Sequence, residues 1–352
     1  MLTKRSVLIL AVITFIVTTA AALAQYTRWA DTIRSVTSEP AFPKVGDALA
    51  SITRIKLIRA DGNAQGTFTF SRIGERWVID DKGGYPATQS VIRQMLLGFT
   101  ELKLVEAKTR IPARFEKLHL ADISQAGSNA SQVILEDKAG TVLLDALFGK
   151  RVASLSGSKP SIYIRRSGEN QTWLATGELE IRGKALEWLP PQLLSILRER
   201  IERTTIMAPG EPAMDLIYDS QHKRFTIVDL PADRVVISNY QLLQVGMLPE
   251  RLIMQDVRPS KGLVPDPALG SVVWRTKDGL TVSIDMAADP KSGDARRPWA
   301  IVTVDVAADA KDKVAKEAKA IIARTKGWAY WFGEPILKRL RATRGILTSP
   351  KS

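Results

Sequence analysis

The chain has 352 residues, 45% hydrophobic and 25% charged, which is the composition of a folded protein and enough length for two domains or two repeats. It has no cysteine, which excludes disulfides, thiolate metal sites and cysteine nucleophiles, and its two histidines, His119 and His222, are few for a zinc site. The net charge of +13 suits nucleic acid, anionic lipid or an acidic partner.

The N-terminus narrows that choice. Lys4 and Arg5 precede an uncharged apolar run from Val7 to Ala24. As a helix this run would be roughly 27 Å long at about 1.5 Å per residue, close to the hydrocarbon thickness of a bilayer. Two cations held in the cytoplasm would export everything after Gln25. Ala22-Leu23-Ala24 also fits a small-residue cleavage site, so a cleaved signal peptide is the rival reading. The length of the run, with Tyr26 and Trp29 following where interfacial aromatics sit, favours an uncleaved anchor. Residues 1–30 are therefore read as membrane anchor or signal segment and 31–50 as a polar, proline-containing linker. The expected location is the bacterial inner membrane, single-pass, with the bulk of the chain in the periplasm and away from nucleic acid.

Alternating apolar and polar residues begin at "ITRIKLIRA" (52–60) and "GTFTFSRI" (66–73), the period of half-buried strands. "RWVIDD" (76–81) continues the meander into the turn residues "DKGG". Pro86 disfavours helix at Tyr85. Thr88 is placed to cap a helix in which Val91, Met95, Leu96, Phe99 and Leu102 recur at helical spacing. Hairpins are expected around Lys138-Ala139-Gly140 and Ser167-Gly168-Glu169, then a short helix in "GKALEWL" that Pro190-Pro191 interrupts. The order then repeats. "ERTTIM", "AMDLIYD" and "RFTIVD" are strand-like, and "VVISNYQLLQVGMLPERLIMQDV" lines up with "SVIRQMLLGFTELKLVEAK". "SVVWRTKDGLTVSIDMA" mirrors the first hairpin, with Lys277-Asp278-Gly279 at its turn, and "PWAIVTVDV" follows as a strand.

The expected fold is α+β, with two similar antiparallel-sheet units that carry helices on one face and follow one N-terminal transmembrane helix. The unit boundaries are 51–201 and 202–352. The second unit closes differently. "DAKDKVAKEAKAIIARTKG" (309–327) is a helix with the apolar stripe Val314, Ala318, Ile321 and Ile322 and a basic face of Lys311, Lys313, Lys316 and Lys319. "WAYWF" (328–332) is a strand, and "EPILKRLRATRGIL" a closing helix with Pro335 in its first turn.

A strand ending in Trp77, the Tyr85-Pro86-Ala87 step, "VIRQMLLGFTEL", "LVEAKT" and "ARFEKLHL" follow one another, and the chain closes on "GWAYWF" and "ILKRLRA". In this order, over about residues 50 to 345, the chain resembles domain-of-unknown-function family 4340. Members of that family typically carry one N-terminal membrane segment, and related domains occur in gliding-motility auxiliary proteins and beside ABC-type transporter components. The resemblance implies an accessory role in the cell envelope, with ATPase or permease subunits among the partners. It implies no reaction, no cofactor and no catalytic residue set.

No stretch declares a chemistry. Lys150 in "ALFGKR" has a phosphate-loop look, but Leu144 stands where the loop needs glycine and Arg151 where it needs Ser or Thr. Ser161 and Lys159 would need a dyad geometry that sequence cannot supply. Asp80 and Asp81 beside Lys82-Gly83-Gly84 read as turn chemistry, His119 as a partly buried or surface residue, and His222 as a solvated turn residue. The most unusual feature is the C-terminal group Trp328, Tyr330, Trp331 and Phe332, followed by Lys338, Arg339, Arg341 and Arg344. On a strand, Trp328, Tyr330 and Phe332 share one face and Trp331 points the other way. Such a group either seals the second core or offers Trp328, Tyr330, Trp331, Lys338, Arg339, Arg341 and Arg344 to an anionic lipid, an envelope polymer or an acidic partner.

Overall fold

The structure, a computed structural model, describes residues 14–22, 39–61, 64–153, 159–190, 192–289 and 297–351. It divides into two compact units. The first is Met1–Trp77 with Gln89–Gly183, and the second is Val78–Thr88 with Lys184–Ser352. The boundary therefore falls at Gly183, ahead of the expected one at Ile201, and eleven residues from the first half of the sequence belong to the second unit.

In the first half the chain forms Ile52–Asp61 (β1), Ala64–Ile73 (β2), Arg76–Ile79 (β3), helix Gln89–Glu101 (α1), Lys103–Ala107 (β4), Ser131–Asp137 (β5), Val142–Val152 (β6), Ser161–Arg166 (β7) and Thr172–Thr176 (β8). In the second half come Ile201–Met207 (β9), Met214–Asp219 (β10), Arg224–Ile227 (β11), helix Asn239–Gly246 (α2), Asp256–Pro259 (β12), Ser271–Thr276 (β13), Leu280–Ala287 (β14), Trp299–Val306 (β15), helix Asp312–Thr325 (α3), Trp328–Trp331 (β16), and the short helices Glu334–Leu340 (α4) and Arg344–Leu347 (α5).

The first sheet runs β3-β2-β1-β5-β6-β7-β8-β4 and the second β11-β10-β9-β13-β14-β15-β16-β12. Each strand of the second sheet holds the place of the strand numbered eight lower in the first, and the described pairings are antiparallel. The alternation read in β1 is real: Ile52, Ile55 and Leu57 are buried while Arg54 and Lys56 are exposed. Each such apolar side chain contributes about 1.5–3 kcal/mol on leaving water.

The units differ where α3 intervenes. In the first unit β7 turns directly into β8, with the Glu169 amide donating to the Arg166 carbonyl at 3.1 Å. In the second, α3 connects β15 to β16 and packs on β15. Its buried stripe is Val314, Ala318, Ile321 and Thr325, while Ile322, expected on the stripe, is exposed. The four lysines of its basic face are exposed, as a solvated surface requires.

Local details correct other expectations. Thr88 does not cap α1: its hydroxyl is buried without a hydrogen-bond partner, and Gln89 instead accepts from the Trp77 amide at 2.8 Å and donates to the Trp77 carbonyl at 2.9 Å. Part of the expected linker is core. Ala41, Phe42 and Val45 are buried, and the Phe42 ring lies 6.4 Å from Phe99 of α1 and 5.9 Å from Phe148 of β6. The closing helix is broken into α4 and α5, because the Thr343 hydroxyl accepts from the Ile346 amide and starts a new helix after Arg341. Of the expected anchor, residues 14–22 are described and helical, and the remainder, with Tyr26 and Trp29, lies outside the described residues. Among the described residues no helix is long and apolar enough to cross a membrane.

Candidate functional site

The C-terminal aromatics are largely claimed by the second unit itself. Tyr330 is wholly buried, so this member of the expected contact surface faces the core. The reason lies in the segment Val78–Thr88. Asp80–Lys82 forms a single 3₁₀ turn and Gly83, at φ 68°, reverses the chain, so that Ile79 pairs with Tyr85. A Cβ at Gly83 would strike the Pro259 ring, so only glycine lets the turn lie against β12. Tyr85 then meets the Trp328 ring edge-on at 4.9 Å and Tyr330 at 6.2 Å, and Lys82 reaches Asp256 at 2.6 Å. The Tyr330 hydroxyl donates to the Arg324 carbonyl at 2.8 Å and hydrogen-bonds to Tyr85. Burial raises the phenol pKa of both tyrosines, which keeps them protonated.

The other face of β16 is different. Trp331 is half-buried with the Arg297 guanidinium 4.7 Å above its ring, while Phe332 stacks with Tyr330 on the buried side. The alternation read for these aromatics therefore holds. Beyond them Lys338 is exposed and Arg339, Arg341 and Arg344 are half-buried. Arg341 Nε and Nη2, Arg344 Nε and Trp331 Nε1 are buried without a hydrogen-bond partner. Burial lowers the Arg341 pKa, with Glu334 opposing.

In the first unit the structure joins two residues that the sequence left apart. His119 and Lys150 line one cleft of about 310 Å³, together with Arg59, Asn129, Ser131, Arg151 and the apolar Phe148, Ile162, Leu179 and Ile181. His119 ends a 3₁₀ turn in the left-handed conformation, φ 58°, its amide bonded to the Glu116 carbonyl. Burial, then the charge of Lys150, lowers the His119 pKa below its usual 6.5. The unfolded chain therefore takes up a proton more readily than the fold, and this histidine's contribution to stability is lost as pH falls below about 6.5. His119→Asn keeps a residue suited to the left-handed turn and removes the titration. Urea unfolding of this variant between pH 7.5 and 5 is expected to lose part of the wild-type decline.

Comparison with protein-family models matches residues 77–240 to DUF4340, a domain of unknown function. The matched stretch, 77–240, is similar to that family. The match begins at the tryptophan of β3 and is narrower than the pattern read over 50 to 345, leaving the closing "GWAYWF" outside it. No curated protein matches the chain.

The remaining candidates all lie within the matched stretch, 77–240, and have structural partners. His222 is exposed and its Nδ1 lies 2.6 Å from Asp219. Lys159 pairs loosely with Glu101 at 3.8 Å on the surface, and Ser161 opens β7. Asp80 and Asp81 lie in the turn that delivers Tyr85. Among the described residues no three His, Asp or Glu side chains are grouped to hold a metal ion. Sequence reasoning missed Arg59, Asn129 and Ser131 as neighbours of His119 and Lys150. The signal was the strand register, which no local pattern carries.

Proposed function

We propose that this chain is a non-enzymatic, membrane-anchored periplasmic protein, an accessory component of an ABC-type transport or gliding-motility-like envelope complex. The observation that carries the reading is the leader: two cations ahead of an uncharged apolar run, followed by a strongly basic body. The DUF4340 match and the matching strand order of the two sheets support a duplicated framework. In such a role the framework would present surface patches to partner proteins. In vivo crosslinking followed by purification tests it. ATPase and permease subunits of one transporter should co-purify with the chain, and a C-terminal alkaline phosphatase fusion should be active. A fusion active only as a cytoplasmic reporter would overturn the reading.

The second reading is binding of an anionic lipid or envelope polymer at the C-terminus. The buried, unpartnered guanidinium nitrogens of Arg341 and Arg344, next to exposed Lys338, favour it. Replacing Lys338, Arg339, Arg341 and Arg344 by Gln would then weaken retention on anionic liposomes. Unchanged retention would remove the lipid version.

A further inference from the structure

We propose that the basic cleft of the first unit binds a phosphate-class anion, held by Arg59, Lys150 and Arg151 with Asn129, Ser131 and His119 completing the shell. The site stands independently of the accessory role above.

The sheet itself builds the cleft. Arg59 of β1 is directly opposite Ser131 of β5, and Ser131 is directly opposite Phe148 of β6. Directly opposed residues project from one face, so these three form a row across the sheet. Phe148 is anchored in that row by the Phe99 ring at 5.4 Å. Immediately after it the ladder slips: Phe148 pairs with Ile164, but Arg151 pairs with Ile162, so Gly149 and Lys150 form a bulge. A bulge re-aims side chains, and here it brings Lys150 and Arg151 to the same cleft as Arg59.

Two glycines hold the walls. A Cβ at Gly149 would collide with the Leu118 carbonyl oxygen, so the loop carrying His119 lies directly on the bulge. The Arg59 guanidinium lies close to the Gly183 backbone, where a Cβ would displace it. His119 adds a second unusual conformation, a positive φ at a non-glycine residue, at the same place.

Charge selects the ligand. Among the described lining residues there are three basic side chains, Arg59, Lys150 and Arg151, and no carboxylate. Gathered cations repel, and an anion in the cleft removes that cost. A carboxylate presents two oxygens, enough for one guanidinium. Three cations with amide, hydroxyl and imidazole partners match a tetrahedral anion carrying more oxygens and up to two charges. The phosphate could belong to a free solute or to a lipid headgroup, and the two are separable.

The test uses the full chain in non-ionic detergent, titrated calorimetrically with inorganic phosphate in one arm and with short-chain phosphatidylglycerol in the other. Binding in either arm is expected, and the tighter arm identifies the source. Lys150→Gln/Arg151→Gln changes two exposed side chains and should weaken binding by at least about tenfold. Lys316→Gln/Lys319→Gln on the exposed face of α3 should leave it unchanged. Ser131→Asp, which places a carboxylate at the centre of the row, should abolish it and provides an independent variant if the double variant misfolds. No binding in either arm, or affinity within about twofold of wild type in folded cleft variants, overturns the proposal.

Discussion

Tyr85→Ala is expected to destabilise the second unit by about 3–5 kcal/mol, the range for truncating a buried aromatic side chain. Tyr85 is 3% exposed and its partners are Trp328 and Tyr330, which lie more than two hundred residues later in the chain. Hydrogen exchange locates the damage. Amides of β13 to β16 should exchange faster, while those of β5 to β8 keep their protection. Tyr85→Phe retains the ring and loses only the hydroxyl contact to Tyr330, so it should cost about 1 kcal/mol. Faster exchange confined to β5–β8 in Tyr85→Ala would show that the segment Val78–Thr88 belongs to the first unit after all.

Arg165→Met is expected to cost the first unit about 3 kcal/mol, because buried hydrogen bonds from a charged donor are each worth about 1.5–3 kcal/mol and methionine replaces only the stem. Arg165 is 4% exposed on β7. Its Nε donates to the Leu120 carbonyl at 3.1 Å, its Nη1 to the Glu169 carbonyl at 3.1 Å, and it pairs with Asp122. The guanidinium also lies 4.7 Å above the Phe115 ring. One side chain thus fastens the loop that carries His119 to the sheet. Denaturant unfolding should show the loss, and amides over 115–123 should lose protection first. Asp122→Asn should cost less than about 1 kcal/mol, because the Asp122 side chain is 69% exposed and Arg165 keeps its two carbonyl acceptors. An Asp122→Asn cost as large as that of Arg165→Met would mean the ion pair, and not the backbone bonds, holds the loop.

Some of this was readable in advance and some was not. The meander β1 to β3, both predicted hairpins and the helix α1 follow from periodicities of two and 3.6 residues, which are properties of neighbouring residues. Repetition of that order over the second half predicted that the two units would resemble each other, and the strand orders agree. The aromatic alternation in β16 was legible for the same reason. By contrast, Thr88 was expected to cap α1 and its hydroxyl is buried, because Thr88 is drawn into the second unit, where its amide donates to the Trp188 carbonyl at 2.7 Å. The closing helix was expected to be continuous, yet the Thr343 cap divides it. Phe42 and Val45 looked like linker because the ring partners of Phe42 lie at Phe99 and Phe148.

What the sequence by itself determined is the set of pieces: an uncharged apolar run near the N-terminus, strands and helices in a twice-used order, and a carrier of positive charge without cysteine. Only the tertiary structure decided where the pieces meet. It sent Tyr85 to Trp328 and Tyr330, and it brought Arg59, His119, Lys150 and Arg151 to one cleft. The physical reason is range. A helix or strand is chosen by interactions among near neighbours, whereas register, a bulge and a buried ring depend on residues far away along the chain, whose packing energies add only once the whole sheet has closed.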